Sequence, residues 1–183
     1  MIPKPQTKSR TVMVQVPGVA AVVVMGVSGA GKSTVGRLIA ERLDCPFRDA
    51  DSFHPQANIE KMASGQPLTD EDRWPWLRAI ARWIGGHRAA GTTCVVTCSA
   101  LKRIYRDLVT DAQRSDVRLV YLKGDIDLIE ARLKTRTGHF MPPALLRSQF
   151  DALEEPRADE HAIAVPIDET PEEIARTVIK ALY

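Results

Sequence analysis

The chain has 183 residues, a length that favours a single domain over two. Hydrophobic residues make up 44% of it and charged residues 26%, so the chain can bury a core and is neither fibrous nor broadly disordered. The 25 Lys and Arg residues exceed the 23 Asp and Glu residues by a net charge of only +2. That surplus is too small to indicate a nucleic-acid or membrane partner.

The cysteines and the apolar runs bear on the location of the protein. Cys45, Cys94 and Cys98 are an odd number in apolar surroundings, which is typical of reduced thiols in a cytosolic protein. The longest apolar run, residues 19–27, is far shorter than the roughly 20 residues that a membrane helix needs. We therefore expect a cytoplasmic protein.

The chain divides into a short tail and one domain. Residues 1–18 are polar, basic and interrupted by prolines, which predicts a flexible tail. In residues 19–183 five short apolar runs alternate with longer helix-like segments, and this alternation predicts an α/β fold with a parallel sheet between helices. The candidate strands are Ala20 to Met25, Cys45 to Arg48, Thr93 to Thr97, Val117 to Leu122 and Ile163 to Ile167.

Four helices have clear signals. One is predicted over residues 32–43, directly after the first strand. Apolar residues at helical spacing predict another over residues 74–90, packed against the sheet. Asp125 or Asp127 is expected to cap a helix after the fourth strand. The last helix is expected to start at Thr170, which precedes a proline and an acidic first turn.

Residues 70–90 combine acidic and aromatic side chains. The acidic residues 70–72 are interpreted as the first turn of the helix over residues 74–90, since carboxylates favour that end of the helix dipole. Trp74, Trp76 and Trp83 lie on this helix. Their helical spacing favours packing anchors over stacking platforms.

A glycine-rich segment follows the first strand. It matches G-x-x-x-x-G-K-[ST] and lies between a strand and a helix, the context that a phosphate-binding loop requires. Its glycines allow backbone N–H groups to surround phosphate oxygens, Lys32 can bridge the β- and γ-phosphates, and the Ser33 hydroxyl can ligate Mg²⁺. A glycine-rich turn that binds nothing is the alternative. The predicted ATP-binding residues here are Gly26, Val27, Ser28, Gly29, Ala30, Gly31, Lys32, Ser33 and Thr34.

Two carboxylates follow the second strand. Asp49 and Asp51 should emerge at the carboxyl edge of the sheet, where open α/β folds bind ligands. One carboxylate there can accept the proton of an attacking hydroxyl, and another can order water on Mg²⁺. The alternative is a solvated loop that caps the helix after Pro55.

Several segments together resemble one family. These are GVSGAGKST, DADSFHPQANIEKMASGQPLTDEDRWPWL, CSALKRIYRDLV, YLKGD and RTGHFMPPALLRSQFDALEEP, and they are similar to gluconokinases of the small P-loop, adenylate-kinase-like type. The resemblance runs from about Ala20 to the last helix. It implies ATP-dependent phosphorylation of D-gluconate to 6-phospho-D-gluconate by a three-layer α/β/α kinase. It also implies a five-stranded parallel sheet, a mobile lid and a homodimer.

An acceptor with a carboxylate and several hydroxyls calls for cationic and neutral polar groups. Arg73 is a candidate, and so are Lys102 and Arg106, which are spaced by four residues on one helix. His54 is a candidate for a sugar hydroxyl, and His139 for a further acceptor contact. Each of these residues has an alternative interpretation as a surface side chain.

The predicted lid covers residues 132–150. Arg132 and Arg136 are one helical turn apart, and their spacing is similar to the R-x-x-x-R lid start of adenylate kinases. That likeness implies Arg132 against the adenine and Arg136 at the transferring phosphate. Closure would exclude water from the reaction. A solvated basic helix end is the alternative.

The resulting hypothesis is a gluconokinase whose catalytic residues are Lys32, Asp51 and Arg136. Asp51 would act as base or orienter for the 6-hydroxyl of gluconate. Asp49 would lie behind Mg²⁺, bound through water, as the likeness to the D-x-D of shikimate kinases implies. Two alternatives stay open: a P-loop kinase of another acceptor such as shikimate or a nucleoside monophosphate, and a non-catalytic nucleotide sensor.

Overall fold

The computed structural model describes residues 16–112, 115–135 and 143–183. Five strands pair in parallel in the spatial order β2-β3-β1-β4-β5, which confirms the expected sheet. Each observed strand begins and ends within two residues of its predicted bounds. The strands are β1 (Ala21–Met25), β2 (Phe47–Asp49), β3 (Cys94–Thr97), β4 (Val117–Lys123) and β5 (Ile163–Pro166).

Helices cover both faces of this sheet, so the three-layer α/β/α fold is confirmed. The helices are α1 (Lys32–Leu43), α2 (Gln56–Ala63), α3 (Asp70–Ala89), α4 (Arg103–Val109), α5 (Ile126–Thr135), α6 (Pro143–Ala152) and α7 (Pro171–Leu182). On one face α1 and α7 pack into a core with residues of α5 and α6. On the other face α3 and α4 form a second core.

The central strand positions the phosphate loop. All five residues of β1 are fully buried, because helices cover both faces and β3 and β4 flank both edges. From β1 the chain runs outward to β2 and β3 on one side and then crosses to β4 and β5 on the other. The carboxyl end of β1 is therefore a point where the winding direction reverses, the usual ligand site of such sheets.

Capping side chains fix where the helices start. In α3 the Thr69 hydroxyl accepts the N–H of Asp72, and the Asp72 carboxylate accepts the N–H of Thr69. The helix thus begins at Asp70, four residues before the predicted start, and its acidic first turn is confirmed. Asp125 caps α5, since its carboxylate accepts the N–H of Leu128 at 2.9 Å. The same reciprocal capping starts α7 at Thr170.

The packed part of the chain includes residues that were expected in the tail. Val16 is only 3% exposed and lies in the core beside Val19, so the body extends at least to Val16 rather than starting at residue 19. Residues 1–15 lie outside the described residues. Within the described ranges no helix is long and apolar enough to cross a membrane.

Candidate active site

The loop between β1 and α1 has the backbone geometry of an anion site. Gly26, Gly29 and Gly31 have φ values of 145°, 82° and 92°, which favour glycine strongly over other residues. A Cβ on Gly29 would also lie 2.9 Å from Ile129 Cγ2, so α5 packs directly against the loop. The first turn of α1 follows at Lys32. Its unpaired N–H groups and its positive dipole end therefore face the same concavity.

Lys32 folds back over this loop. Its Nζ donates to the carbonyl of Val27 at 2.9 Å, which places the ammonium at the rim of the concavity. Burial lowers the pKa of Lys32, and the nearby groups Cys98, Asp51 and Asp49 partly offset that effect. A partly desolvated ammonium that faces carboxylates is arranged to receive the negative charge of a phosphate.

Ser33 and Asp49 form the polar pair expected beside a magnesium ion. The Ser33 hydroxyl donates to Asp49 Oδ2 at 2.5 Å, and Asp49 Oδ1 accepts the N–H of Asp51 at 3.1 Å. No group of three or more His, Cys, Asp or Glu residues within the described ranges could hold a metal ion. Mg²⁺ is usually held by one or two protein oxygens together with waters and substrate phosphates. The oxygen donors Ser33 and Asp49 fit the ion.

Asp51 lies on a 3-10 turn, Ala50–Phe53, directly after β2. Its carboxylate is exposed, while its N–H is tied to Asp49. The other side of the turn is held by Trp76, whose Nε1 donates to the carbonyl of Ala50 at 2.7 Å in a buried contact. The turn therefore presents Asp51 to the cleft on a fixed backbone.

His54 follows this turn and stacks on Trp76, with ring centroids 4.3 Å apart and planes inclined by 12°. The amide nitrogen of Asn58 lies 3.4 Å from His54 Nδ1. Burial lowers the pKa of His54, the Arg73 charge adds to this, and Asp51 opposes it. The lowered pKa favours the neutral form of the imidazole. Trp76 is buried in the core beneath α3, which confirms the expected packing anchor, and it also stacks on a candidate site residue.

Arg73 and Lys102 are brought together on α3 and at the start of α4. Lys102 Nζ lies 2.9 Å and 3.0 Å from the two Asp70 carboxylate oxygens, Arg73 Nη1 lies 3.8 Å from Asp70, and Tyr105 donates its hydroxyl to the same carboxylate. The hydrogen bonds from Tyr105 and Lys102 hold the pKa of Asp70 below its usual value. Two cations share one carboxylate, so this cluster carries a net positive charge.

Arg106 does not join them, which corrects the expectation that it faces the acceptor. Its side chain is 1% exposed, and Nε and Nη2 donate to the two Glu160 carboxylate oxygens at 2.5 Å and 2.9 Å. Its Nη1 donates to the carbonyls of Ala100, Leu101 and Glu154. A spacing of four residues places two side chains on one face only within a helix, but Lys102 is the extended residue that precedes α4, whereas Arg106 lies inside it.

Arg132 and Gln149 connect the described part of the predicted lid to other elements. Arg132 donates to the carbonyl of Ile167, just after β5. Gln149 of α6 accepts the N–H of Ser28 in the phosphate loop at 2.7 Å. Sequence reasoning missed Gln149, since a lone glutamine in a helix carries no signal of its own. The predicted residues Arg136 and His139 lie outside the described residues.

Comparisons with known proteins identify the family of the chain. The sequence model of the family described as "Shikimate kinase" matches residues 28–183. The chain is 45% identical over 161 residues to the thermoresistant gluconokinase of Escherichia coli K12, covering 87% of this chain and 91% of that protein. It is 44% identical to a gluconokinase of Gluconobacter oxydans 621H, covering 86% and 88% of the two chains.

A solved structure gives the same result. The crystal structure of a gluconokinase from Sinorhizobium meliloti 1021 superposes with a TM-score of 0.82 at 45% identity, covering 92% of this chain and 93% of that one. The fold, the phosphate loop and the sequence identity thus indicate the same family. The chain belongs to the gluconokinase family of P-loop kinases, which the shikimate kinase model also matches.

Proposed function

We propose that this protein is an ATP-dependent gluconokinase that converts D-gluconate to 6-phospho-D-gluconate. One observation carries the proposal: a phosphate loop with an inward-folded lysine faces, across the same sheet edge, the exposed carboxylate of Asp51 and the half-buried imidazole of His54. This arrangement pairs a triphosphate site with a hydroxyl site. The 45% identity to a named gluconokinase over 87% of the chain supports gluconate as the acceptor.

On the nucleotide side the backbone does most of the binding. Backbone N–H groups of the phosphate loop and of the first turn of α1 bind the phosphates, and Lys32 neutralises charge on the β- and γ-phosphates. Ser33 and Asp49 would hold Mg²⁺, Ser33 directly and Asp49 through water. That ion, when bound, withdraws negative charge from the phosphate oxygens. Arg132 is assigned to the adenine and Arg136 to the transferring phosphoryl group.

On the acceptor side the substrate is bound by side chains. Asp51 accepts the hydrogen bond of the gluconate 6-hydroxyl, and His54 binds a neighbouring hydroxyl. As the hydroxyl oxygen bonds to the γ-phosphorus, the bond from that phosphorus to the β–γ bridging oxygen breaks. ADP leaves, and the hydroxyl proton passes to Asp51. Arg73 and Lys102 supply positive charge for the gluconate carboxylate, and His139 is assigned as a further acceptor contact.

An acceptor panel tests the proposal. Purified protein with ATP and magnesium should release ADP when given gluconate, and not when given shikimate or a nucleoside monophosphate. Activity on shikimate alone would favour the second candidate, which the match to the shikimate kinase model makes worth testing. Nucleotide binding without turnover on any acceptor would instead indicate a sensor.

Asp51→Asn tests the assignment on the acceptor side. It removes the charge that accepts the proton and keeps the size of the side chain, so kcat on gluconate should fall by about 10²-fold or more while ATP binding persists. Asp44→Asn is the matched control, since Asp44 lies beyond the far end of α1. Nearly unchanged turnover in Asp51→Asn would remove its catalytic role.

Three finer points belong to the same proposal. Magnesium dependence is tested by chelation and metal add-back in the coupled assay. A homodimer is expected from the family likeness, and light scattering of the purified protein measures its mass. A cytoplasmic location fits the three free cysteines of the described residues and is tested by cell fractionation.

A further inference from the structure

We propose that Trp76 is a positioning residue for the acceptor half of the site, holding both Asp51 and His54 in their working geometry. The inference rests on the proposed function, since it assigns Trp76 a role at the acceptor groups named above. Trp76 itself is 4% exposed and its polar atom is turned away from solvent. It therefore acts through its neighbours rather than by touching substrate.

The first contact fixes the turn that carries Asp51. The indole N–H donates to the carbonyl of Ala50, 26 residues earlier in the chain and inside the protein. A buried carbonyl that loses its donor costs more free energy than an ordinary hydrogen bond contributes. Since Ala50 directly precedes Asp51, loss of this bond would let the turn shift and move the carboxylate with it.

The second contact fixes the ring of His54. The indole face covers the imidazole at 4.3 Å and nearly parallel, which shields one side of the ring from water. Desolvation of this kind is the main cause of the lowered pKa of His54. The stack thus contributes to the burial that lowers the pKa of His54, and it limits rotation of the ring.

Asn58 completes the arrangement by selecting a tautomer. Asn58 is 5% exposed, and its amide nitrogen donates to the carbonyl of Asp72 at 2.8 Å. That bond requires nitrogen, not oxygen, at this position, so the same amide presents its second hydrogen to His54 Nδ1. A neutral imidazole that accepts at Nδ1 carries its proton at Nε2, where it can donate to an acceptor hydroxyl.

The other tryptophans of α3 provide a contrast. Trp83 makes edge contacts with Phe53 and His87, at centroid distances of 6.0 Å and 4.6 Å, and Trp74 makes an edge contact with Tyr105. Of the three, Trp76 has the parallel stack on a site histidine and the hydrogen bond to the Asp51 turn. Trp83→Phe keeps an aromatic ring beside Phe53, which lies on the same turn, so it is a matched control for the N–H that Trp76→Phe removes.

The experiment compares Trp76→Phe, Trp76→Leu and Trp83→Phe. Trp76→Phe keeps an aromatic face for His54 but removes the N–H, so kcat/KM for gluconate should fall by about 5- to 50-fold while KM for ATP changes less than about twofold. Trp76→Leu removes the stack as well. The acid limb of its rate profile, and the His54 titration followed by NMR, should move to higher pH. Trp83→Phe should match the parent protein in all these measurements.

Several results would overturn the inference. One is a Trp76→Phe protein whose gluconate kinetics match those of Trp83→Phe. Another is equal loss of ATP and gluconate kinetics, which would indicate general destabilisation. If Trp76→Leu does not fold, Trp76→Phe decides. If the parent protein phosphorylates no acceptor, the proposed function fails, whereas an unmoved His54 titration in Trp76→Leu refutes the role of Trp76 independently of activity.

Discussion

Arg106 forms a buried ion pair with Glu160, and replacing it distinguishes a structural role of Arg106 from a role in binding substrate. Both side chains are 1% exposed and share two hydrogen bonds. Burial alone would raise the pKa of Glu160, but the bonds from Arg106 and from the N–H of Arg157 lower it overall. Arg106→Met would remove the charged partner of this carboxylate and one donor from each of the carbonyls of Ala100, Leu101 and Glu154.

The expected loss in the free energy of unfolding follows from the burial of the pair. Removing one partner of a buried ion pair destabilises a protein by ~3–5 kcal/mol, because the other charge stays buried and uncompensated. For a chain of this length each kcal/mol corresponds to roughly 2–4 °C in Tm, so Arg106→Met should melt about 6–20 °C lower. Replacing both partners, with Glu160→Leu added, should recover most of the loss.

Urea unfolding followed by tryptophan fluorescence measures the free energy of unfolding of the parent, single and double variants. Gluconate kinetics are then measured well below the melting range, where every variant is folded. KM for gluconate should stay within about threefold, whereas loss of a charged hydrogen bond to the substrate carboxylate would raise it roughly 10- to 100-fold. Parent-like stability combined with such a rise would refute the structural assignment and return Arg106 to the acceptor site.

Three further predictions concern the glycines of the phosphate loop, Gln149 of α6 and Asp72 of α3. Gly29→Ala should abolish measurable ATP affinity, since it adds a collision with Ile129 to an unfavourable φ. Gly31→Ala meets no atom within 4 Å and should lose less in the same titration. Gln149→Glu places a carboxylate against the phosphate loop and should raise KM for ATP roughly tenfold, whereas Gln149→Ala should change it little. Hydrogen bonds lower the pKa of Asp72 to about 2, so the stability that ionised Asp72 contributes is present above its usual pKa and is lost as pH falls towards 2. The free energy of unfolding of Asp72→Asn should therefore be lower than that of the parent at pH 7, and the two values should converge near pH 2.

The fold could be predicted because its signals are local. Strand β1 is a continuous apolar run that ends in a glycine-rich loop, and this local pattern alone places a buried parallel strand before a helix. The start of α3 was misplaced by four residues because Thr69 and Asp72 cap each other only once the helix forms. A capping box is visible in sequence mainly as Ser or Thr followed by Glu or Gln, and Asp at the third position gives a weaker signal.

The acceptor half of the site was harder to predict, for a physical reason. The spacing of four residues between Lys102 and Arg106 predicts that they share one helix face. Lys102 instead pairs with Asp70, and Arg106 pairs with Glu160, which lies 54 residues further along the chain. Their destinations depend on long-range contacts that helical periodicity does not encode. The stack of His54 on Trp76 joins two segments that the sequence analysis treated separately. Which candidate residues meet therefore became visible only in three dimensions.

The two halves of the cleft also differ in how they are built, and this bears on specificity. The phosphate half uses backbone N–H groups held by glycines, with Lys32 and Ser33 as side-chain additions. The proposed acceptor half would use side chains from the β2 edge, α3 and the start of α4. A substitution in the acceptor half can change the substrate while leaving the phosphate loop intact, so one family model can match kinases with different acceptors. It follows that the identity of the acceptor has to be tested with variants of Asp51, His54 and Arg73. Variants of the phosphate loop alone cannot distinguish gluconate from shikimate.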